Sequence, residues 1–221
     1  MDVPRISAWQ MWGEPYNFER WLKLTSAYRD SILKVGYNAA KKADPTCLVV
    51  TAALEAGFGL DSLSVCLQNG GIDHLDVVGI DPYYNTNPPK PFMINFIADA
   101  ESRIKNSANP NDLPELWITE TGSYTVSCPD TSCSCEWAPN PVNLDTQAIY
   151  IVEICEIIDS LYMEPHSITE KVFFYELKDY PYCIEDKWVP RFGIVDKNLN
   201  PKPAYSAYRD YIFDGKVNRE S

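Results

Sequence analysis

The sequence predicts an α/β protein of about five parallel strands with helical crossovers. Short runs rich in valine, isoleucine and aromatic residues alternate with longer segments of helical periodicity along all 221 residues. This order of elements requires parallel strands joined by crossovers that pack on the sheet. Two architectures fit, an open doubly wound sheet and part of a (β/α)8 barrel, and a full barrel usually needs about 250 residues.

The five predicted strands are short and mostly apolar. They span residues 6–12, 47–53, 75–80, 116–119 and 171–175. The second of these is a continuous apolar run, which is typical of a strand buried on both faces of a parallel sheet. No glycine-rich phosphate loop follows the first strand, which argues against a dinucleotide-binding domain.

A helical segment is predicted after each strand. These segments span residues 17–43, 60–69, 92–106, 145–162 and 203–213. The first is followed by Asp44 and Pro45, a stop signal, and the second by Gly70, a C-terminal signal. Asp145 is a suitable N-cap for the fourth segment.

Charge and composition narrow the classes of partner. Thirty-one acidic against 19 basic residues give a formal charge of −12, and no dense cluster of Lys and Arg occurs, so we expect neither nucleic acid nor membrane as a partner. The most apolar helical stretch, residues 148–161, contains three acidic residues and is too short for a membrane span. An aromatic content of 13% suits a carbohydrate site, because sugar rings stack on flat apolar faces.

Two glutamates directly follow predicted strands. Glu14 lies in Trp-Gly-Glu-Pro (residues 12–15) after the first strand, and Glu120 lies in Trp-Ile-Thr-Glu-Thr-Gly (residues 117–122) at the fourth. The carboxyl ends of parallel strands meet at one edge of a sheet, where chemistry is usually placed in α/β folds. Paired carboxylates of this kind are what cleavage of a glycosidic bond requires.

These segments resemble the signatures of clan A glycoside hydrolases, as in families 5 and 39. Trp-Gly-Glu-Pro is similar to the Trp-Asn-Glu-Pro signature that ends strand four, and the segment around Glu120 is similar to the strand-seven nucleophile signature. Residues 76–83 resemble strand six, residues 173–177 together with Asp179 resemble strand eight, and residues 192–195 together with 201–205 resemble the closing stretch. The resemblance implies a partial (β/α)8 TIM barrel that covers strands four to eight.

The resemblance also implies an activity and a set of site residues. Glu14 would be the general acid/base and Glu120 the nucleophile of a retaining, cellulase-like β-glycoside hydrolase, which cleaves a β-linked poly- or oligosaccharide by double displacement. Tyr83 would donate a hydrogen bond to Glu120. The expected substrate-binding residues are Tyr83, Tyr84, Trp137, Tyr175 and Trp188. No cofactor or metal is expected, because His74 and His166 are isolated.

Two departures from the family pattern support an alternative. Gly13 stands where the family has an asparagine that binds the sugar 2-hydroxyl, and strands one to three of the barrel have no counterpart in this sequence. We expect a single domain over residues 1–214 and a flexible tail over residues 215–221. The alternative is a catalytically impaired carbohydrate-binding or scaffold remnant. The open sheet edges would be covered by self-association as a homo-oligomer, by a partner that supplies the missing strands, or by local rearrangement.

Other residues beside the strands are expected to be structural. Trp9, Trp12 and Trp117 lie within or at the ends of predicted strands and are expected in the core. Glu176 follows the last strand and is also expected to be structural.

The seven cysteines fall into two groups. Cys47, Cys66 and Cys155 lie in strand or helix segments and are predicted to be buried thiols. The remaining four lie in loops after the last two strands: Cys128, Cys133, Cys135 and Cys183. We favour two disulfides over a zinc site for these four, since the paired Cys-x-x-Cys spacing is missing. Disulfides imply an oxidising compartment, and we therefore expect an extracellular location.

Overall fold

The chain folds around one five-stranded sheet whose spatial order follows the chain order. The computed structural model describes residues 5–13, 25–53, 59–84, 88–125, 141–179 and 191–217. The strands are β1 (Ala8–Gln10), β2 (Leu48–Val50), β3 (Val77–Ile80), β4 (Glu115–Thr121) and β5 (Thr169–Phe174). The strands are parallel, which confirms the predicted α/β class.

Helices connect successive strands, as the alternation of apolar runs and helical segments predicts. They are α1 (Thr25–Tyr28), α2 (Lys34–Ala43), α3 (Gly59–Leu67), α4 (Pro89–Ser107), α5 (Leu144–Tyr162) and α6 (Pro203–Val217). A π-helical turn, Arg29–Leu33, joins α1 to α2. Helix α6 continues past residue 214, where the sequence places the start of the tail. Within the ranges given above, no helix is both long and apolar enough to cross a membrane.

Strand β3 is the most deeply buried part of the sheet. All four of its residues are buried, and they pair with β4 from Val77 opposite Glu115 to Ile80 opposite Ile118. Valine and isoleucine suit this position because β-branched side chains pack well on a sheet that is covered on both faces. The pairing fixes where the two strands end, and therefore which residues follow them.

Contacts divide the chain into two compact units, of which the first holds most of the sheet. Its three segments are Met1–Pro82, Ile94–Glu120 and Leu161–Phe173. Within this unit the buried residues Val50, Val77 and Trp117 form an apolar cluster, and Ala8 and Leu48 pack against it. The cluster joins residues of β1 to β4 across one face of the sheet.

The second unit is built around α5 and the C-terminal helix. Its three segments are Tyr83–Met93, Thr121–Ser160 and Phe174–Ser221. Ile151 on α5, Ile194 and Ala204 form its buried cluster. Phe174 and Tyr208 pack against this cluster and against each other, with ring centroids 5.2 Å apart. The cluster anchors α6 against α5.

The tryptophans near the strands differ in burial. Trp117 is buried, as predicted, and only 5% exposed. The prediction for Trp9 and Trp12 is wrong, because their exposed fractions are 47% and 49%. The reason is the position of β1 at the end of the sheet, where β2 is its one neighbour among the described strands.

The carboxylate of Glu101 on α4 holds the chain that enters β5. Its Oε1 accepts hydrogen bonds from Ser167 Oγ (2.7 Å), the Ile168 amide (3.0 Å) and Thr169 Oγ1 (2.9 Å). Its Oε2 accepts one from Lys105 Nζ (2.7 Å). Burial raises the pKa of Glu101, but these four hydrogen bonds outweigh it and leave the pKa below its usual value.

We expect Glu101→Gln to lower the free energy of unfolding by about 2 kcal/mol at neutral pH, because an amide cannot accept these bonds at both of its terminal atoms. Since the folded-state pKa of Glu101 lies below the unfolded one, its contribution is present above the ordinary carboxyl pKa and is lost as the pH falls through the folded value. The difference in stability between the two proteins should therefore shrink in acid. Urea unfolding across this pH range measures it.

The matched control is Glu170→Gln, which changes an exposed glutamate on β5. We expect this variant to stay within about 0.5 kcal/mol of the wild type. An equal loss of stability in both variants would contradict the assigned role of Glu101.

Candidate active site

Glu120 lies at the carboxyl end of β4. The preceding residues Leu116, Trp117 and Ile118 are buried, whereas Glu120 is half-buried. At the opposite end of the strand, Trp117 Nε1 donates a hydrogen bond to Glu115 Oε2 at 2.7 Å. The fully buried part of β4 thus ends before Glu120, whose carboxylate solvent can reach.

A second carboxylate follows the neighbouring strand. Asp81, which comes directly after β3, is fully buried. Thr119 Oγ1 donates a hydrogen bond to Asp81 Oδ1 at 2.7 Å and lies 3.3 Å from the carbonyl oxygen of Ile80. Because Thr119 immediately precedes Glu120, this contact ties the backbone that carries Glu120 to the end of β3.

The end of β1, which leads to Glu14, is held by a tyrosine of α1. The Met11 amide donates to the carbonyl oxygen of Val50 at 2.8 Å. Tyr28 Oη donates to the carbonyl oxygen of Met11 (3.0 Å) and accepts from the Ala52 amide (2.6 Å). Glu14 itself lies outside the described residues, so the structure places the chain only up to Gly13.

The second unit contains a group of aromatic rings from the segments that follow β3, β4 and β5. Tyr83, Tyr124 and Tyr175 each contact the ring of Phe192, with centroid distances of 5.7, 5.5 and 5.4 Å. The structure thus brings together two of the predicted substrate-binding residues, Tyr83 and Tyr175. All four rings are half-buried.

Tyr84 has a different environment from Tyr83. Its hydroxyl shares a hydrogen bond with Ser123 Oγ, and its ring meets Tyr150 edge to face at 6.0 Å. Burial raises the pKa of Tyr84, and the bond to Ser123 offsets only part of this effect. The hydroxyl is therefore neutral at physiological pH and is held by a residue of the segment after β4.

Several predicted residues lie outside the described residues. These are Glu14, Trp137, Trp188 and the four loop cysteines Cys128, Cys133, Cys135 and Cys183. Their roles, and the two disulfides, remain predictions.

The three other cysteines confirm the prediction of buried thiols. Cys47, Cys66 and Cys155 are buried and free. Burial raises the pKa of both Cys66 and Cys155 to about 12, so these thiols stay protonated and are poor nucleophiles. Within the described ranges, no group of three or more His, Cys, Asp or Glu side chains is placed to hold a metal ion.

Two residues that organise this region, Phe192 and Gln147, are not among the site residues predicted from the sequence. Phe192 contacts three tyrosines, and Gln147, which is 1% exposed, lies with its Nε2 2.9 Å from the Ser123 carbonyl oxygen and 3.3 Å from that of Phe192. A signal for Gln147 was present. It shares a helical face with Ile151 and Ile154, which lie four and seven residues further along α5, so an amide on this face indicates a buried hydrogen-bonding role.

Solved structures that superpose on this chain include glycoside hydrolases. A GH2 β-galacturonidase from Eisenbergiella tayi bound to galacturonate superposes with a TM-score of 0.60 at 15% identity, covering 94% of this chain and 33% of that one. A β-glucuronidase from Ruminococcus gnavus gives a TM-score of 0.61 at 14% identity, covering 94% of this chain and 32% of that one. A β-glucuronidase from Ruminococcus gnavus in complex with uronic isofagomine gives a TM-score of 0.61 at 16% identity, covering 92% of this chain and 31% of that one.

These similarities show that the chain shares the fold of part of these glycoside hydrolases. The chain spans about a third of the length of the solved structures that it matches. No protein-family model and no curated protein matches the sequence. The fold therefore agrees with the coarser part of the resemblance, a glycoside hydrolase fold, and does not support families 5 and 39 specifically. The structural neighbours are named as uronidases and give no support to a cellulase-like activity.

Gly122 lies where no side chain fits. A Cβ added there would overlap the carbonyl oxygen of Tyr175, whose amide donates to the Thr121 carbonyl oxygen at 2.9 Å. We expect Gly122→Ala to separate these strand ends and to lower the free energy of unfolding by about 1–3 kcal/mol, as measured by urea unfolding.

Gly13→Ala is the control for this substitution, since no described atom lies within 4 Å of a Cβ at Gly13. It should change stability by less than about 0.5 kcal/mol. If both alanine variants unfold at the same urea concentration, the close approach of Tyr175 to Gly122 has no energetic importance.

Proposed function

We propose that this chain is a domain of a retaining β-glycoside hydrolase, in which Glu120 is the nucleophile and Glu14 the general acid/base. The observation that carries the proposal is the position of Glu120, a half-buried carboxylate at the carboxyl end of a parallel strand in a glycoside hydrolase fold. Strand ends of this kind are where catalytic groups lie in barrel enzymes. The five strands then correspond to strands four to eight of a (β/α)8 barrel.

The chemistry follows from the two carboxylates. Glu120 attacks the anomeric carbon and forms a glycosyl ester while Glu14 protonates the departing glycosidic oxygen. Glu14 then deprotonates a water molecule, which attacks the same carbon and releases Glu120. The hydrogen bond from Thr119 to Asp81 supports this role, because it restrains the backbone from which the nucleophile projects.

The substrate class is a β-linked glycoside, and uronosides are the first to test. The neighbouring structures are named as a β-galacturonidase and β-glucuronidases, and two hold galacturonate or D-glucuronic acid. Tyr83, Tyr84 and Tyr175, together with Trp137 and Trp188, are the residues proposed to contact the sugar. A screen should therefore include aryl β-glucuronides and β-galacturonides beside aryl β-glucosides.

A second candidate function is a carbohydrate-binding or scaffold domain without turnover. Gly13, in place of the family's asparagine, favours this candidate, because the contact to the sugar 2-hydroxyl is missing. Sugar binding by calorimetry without hydrolysis would support this candidate over the enzyme.

We expect Glu120→Gly to lower hydrolysis of a dinitrophenyl β-glycoside by roughly 10³-fold or more, because the nucleophile is lost. Azide enters the space left by the side chain, attacks the anomeric carbon as dinitrophenolate leaves, and should restore turnover with an α-glycosyl azide as product. Proton NMR of the products distinguishes this azide from the β-anomer that a retaining wild type releases first.

Glu170→Gln serves as the control and should keep the wild-type rate, since Glu170 is an exposed residue of β5. Unchanged hydrolysis in Glu120→Gly would rule out Glu120 as the nucleophile. Formation of the β-glycosyl azide, which requires two displacements through a glycosyl-enzyme intermediate, would instead identify Glu120 as the acid/base and another carboxylate as the nucleophile.

Gly13→Asn should raise kcat/KM by about tenfold. The structure has room for the side chain, because no described atom lies within 4 Å of a Cβ there, and the amide would restore the family's contact to the sugar 2-hydroxyl. Steady-state kinetics on the aryl glycoside that the wild type cleaves best measures the change. Gly13→Ala is the control without a polar group, and an equal gain in both variants would refute the hydrogen-bond explanation.

A further inference from the structure

Phe192 occupies a central position among the aromatic rings of the second unit. Three tyrosines from three different segments pack on it: Tyr83 after β3, Tyr124 after β4 and Tyr175 after β5. Tyr83 and Tyr175 meet Phe192 edge to face, with interplanar angles of 69° and 70°. Edge-to-face packing is the favoured geometry of aromatic pairs and restrains how each ring can turn.

The backbone around Phe192 is itself fixed by hydrogen bonds. Gln147 Nε2 lies 3.3 Å from the Phe192 carbonyl oxygen, and the carbonyl oxygen of Arg191 accepts the Thr125 amide at 3.0 Å. On the other side, the Ile194 amide lies 3.1 Å from the Glu176 carbonyl oxygen. Phe192 is therefore a rigid support, held from α5 and from the segments that follow β4 and β5.

Gly122 packs closely against this cluster. A Cβ at Gly122 would come 3.4 Å from Phe192 Cδ1 and would overlap the Tyr175 carbonyl oxygen. The backbone that carries Tyr175 thus lies against the chain just after β4. Close packing of this kind transmits the loss of one ring to its neighbours.

We propose that Phe192 is a positioning residue that orients the rings of Tyr83 and Tyr175 for contact with the sugar. This inference rests on the proposed function, which assigns sugar contact to these two tyrosines. Phe192 acts through them and does not itself touch the substrate. Its loss leaves the rings free to turn, so the hydroxyls spend less time in the productive geometry, and small misplacements of this kind lower catalytic rates strongly.

Kinetics of Phe192→Leu test the catalytic part of the proposal. We expect kcat on an aryl β-glycoside to fall roughly 10- to 100-fold with KM within about threefold of the wild type. Phe192→Tyr keeps the ring and should recover most of kcat. Phe173→Leu is the matched control, since Phe173 is a 47% exposed phenylalanine of β5 in the other unit.

A second measurement does not depend on activity. Protein labelled with 3-fluorotyrosine gives ¹⁹F NMR signals that Tyr83→Phe and Tyr175→Phe assign. In Phe192→Leu the signals of Tyr83 and Tyr175 should shift and broaden, whereas Phe173→Leu and Phe192→Tyr should leave them near their wild-type positions. Thermal unfolding of each variant confirms that the compared proteins are folded.

The outcomes separate the two proposals. Unchanged signals of Tyr83 and Tyr175 in folded Phe192→Leu would overturn the inference, whatever the activity. A raised KM with unchanged kcat would also overturn it, because Phe192 would then contact the sugar directly. Shifted signals in a protein whose wild type has no turnover on any aryl glycoside would support the positioning of the rings and overturn the proposed function alone.

Discussion

The parallel pairing of β3 with β4 is the constraint on which the candidate site depends. Four residue pairs, from Val77 opposite Glu115 to Ile80 opposite Ile118, align the two strands so that their carboxyl ends lie side by side. Beyond the last pair the polar residues begin, and the hydrogen bond from Thr119 to the buried carboxylate of Asp81 continues the connection by side chains. A shift of one residue in this register would turn every side chain of β4 to the opposite face and displace the candidate nucleophile.

In the second unit, buried polar contacts fix the segments that follow β4 and β5. Gln147 reaches the carbonyl oxygens of Ser123 and Phe192, and Lys202 Nζ donates to Asp179 Oδ1 at 2.8 Å in an ion pair that is almost fully buried. Buried polar groups of this kind are costly unless they are paired, so removing one partner destabilises strongly. The segments after β4 and β5 are consequently fixed relative to α5 and to the start of α6.

Much of the fold could be predicted from the sequence because the apolar runs alternate so regularly with helical segments. The position of Glu120 at a strand end was also visible, since Leu116, Trp117 and Ile118 precede it without interruption. Burial of individual tryptophans could not be predicted. Trp9 is a large apolar residue within a predicted strand, as a core residue would be. Only the order of the strands shows that β1 lies at the end of the sheet. Phe192 was missed because its importance comes from three long-range contacts, which no local pattern records.

The two ends of the sheet differ in the kind of interaction that they carry, and this difference argues for a functional edge. At the amino end of β5, the carboxylate of Glu101 is saturated with hydrogen bonds from its own surroundings, as expected of a group that serves stability alone. At the carboxyl ends of β3 and β4, Glu120 is half-buried, and the buried Asp81 accepts a hydrogen bond from Thr119, the residue before Glu120. A half-buried carboxylate on a restrained strand end suits the proposed chemistry, because the group must be fixed in place and still meet a ligand.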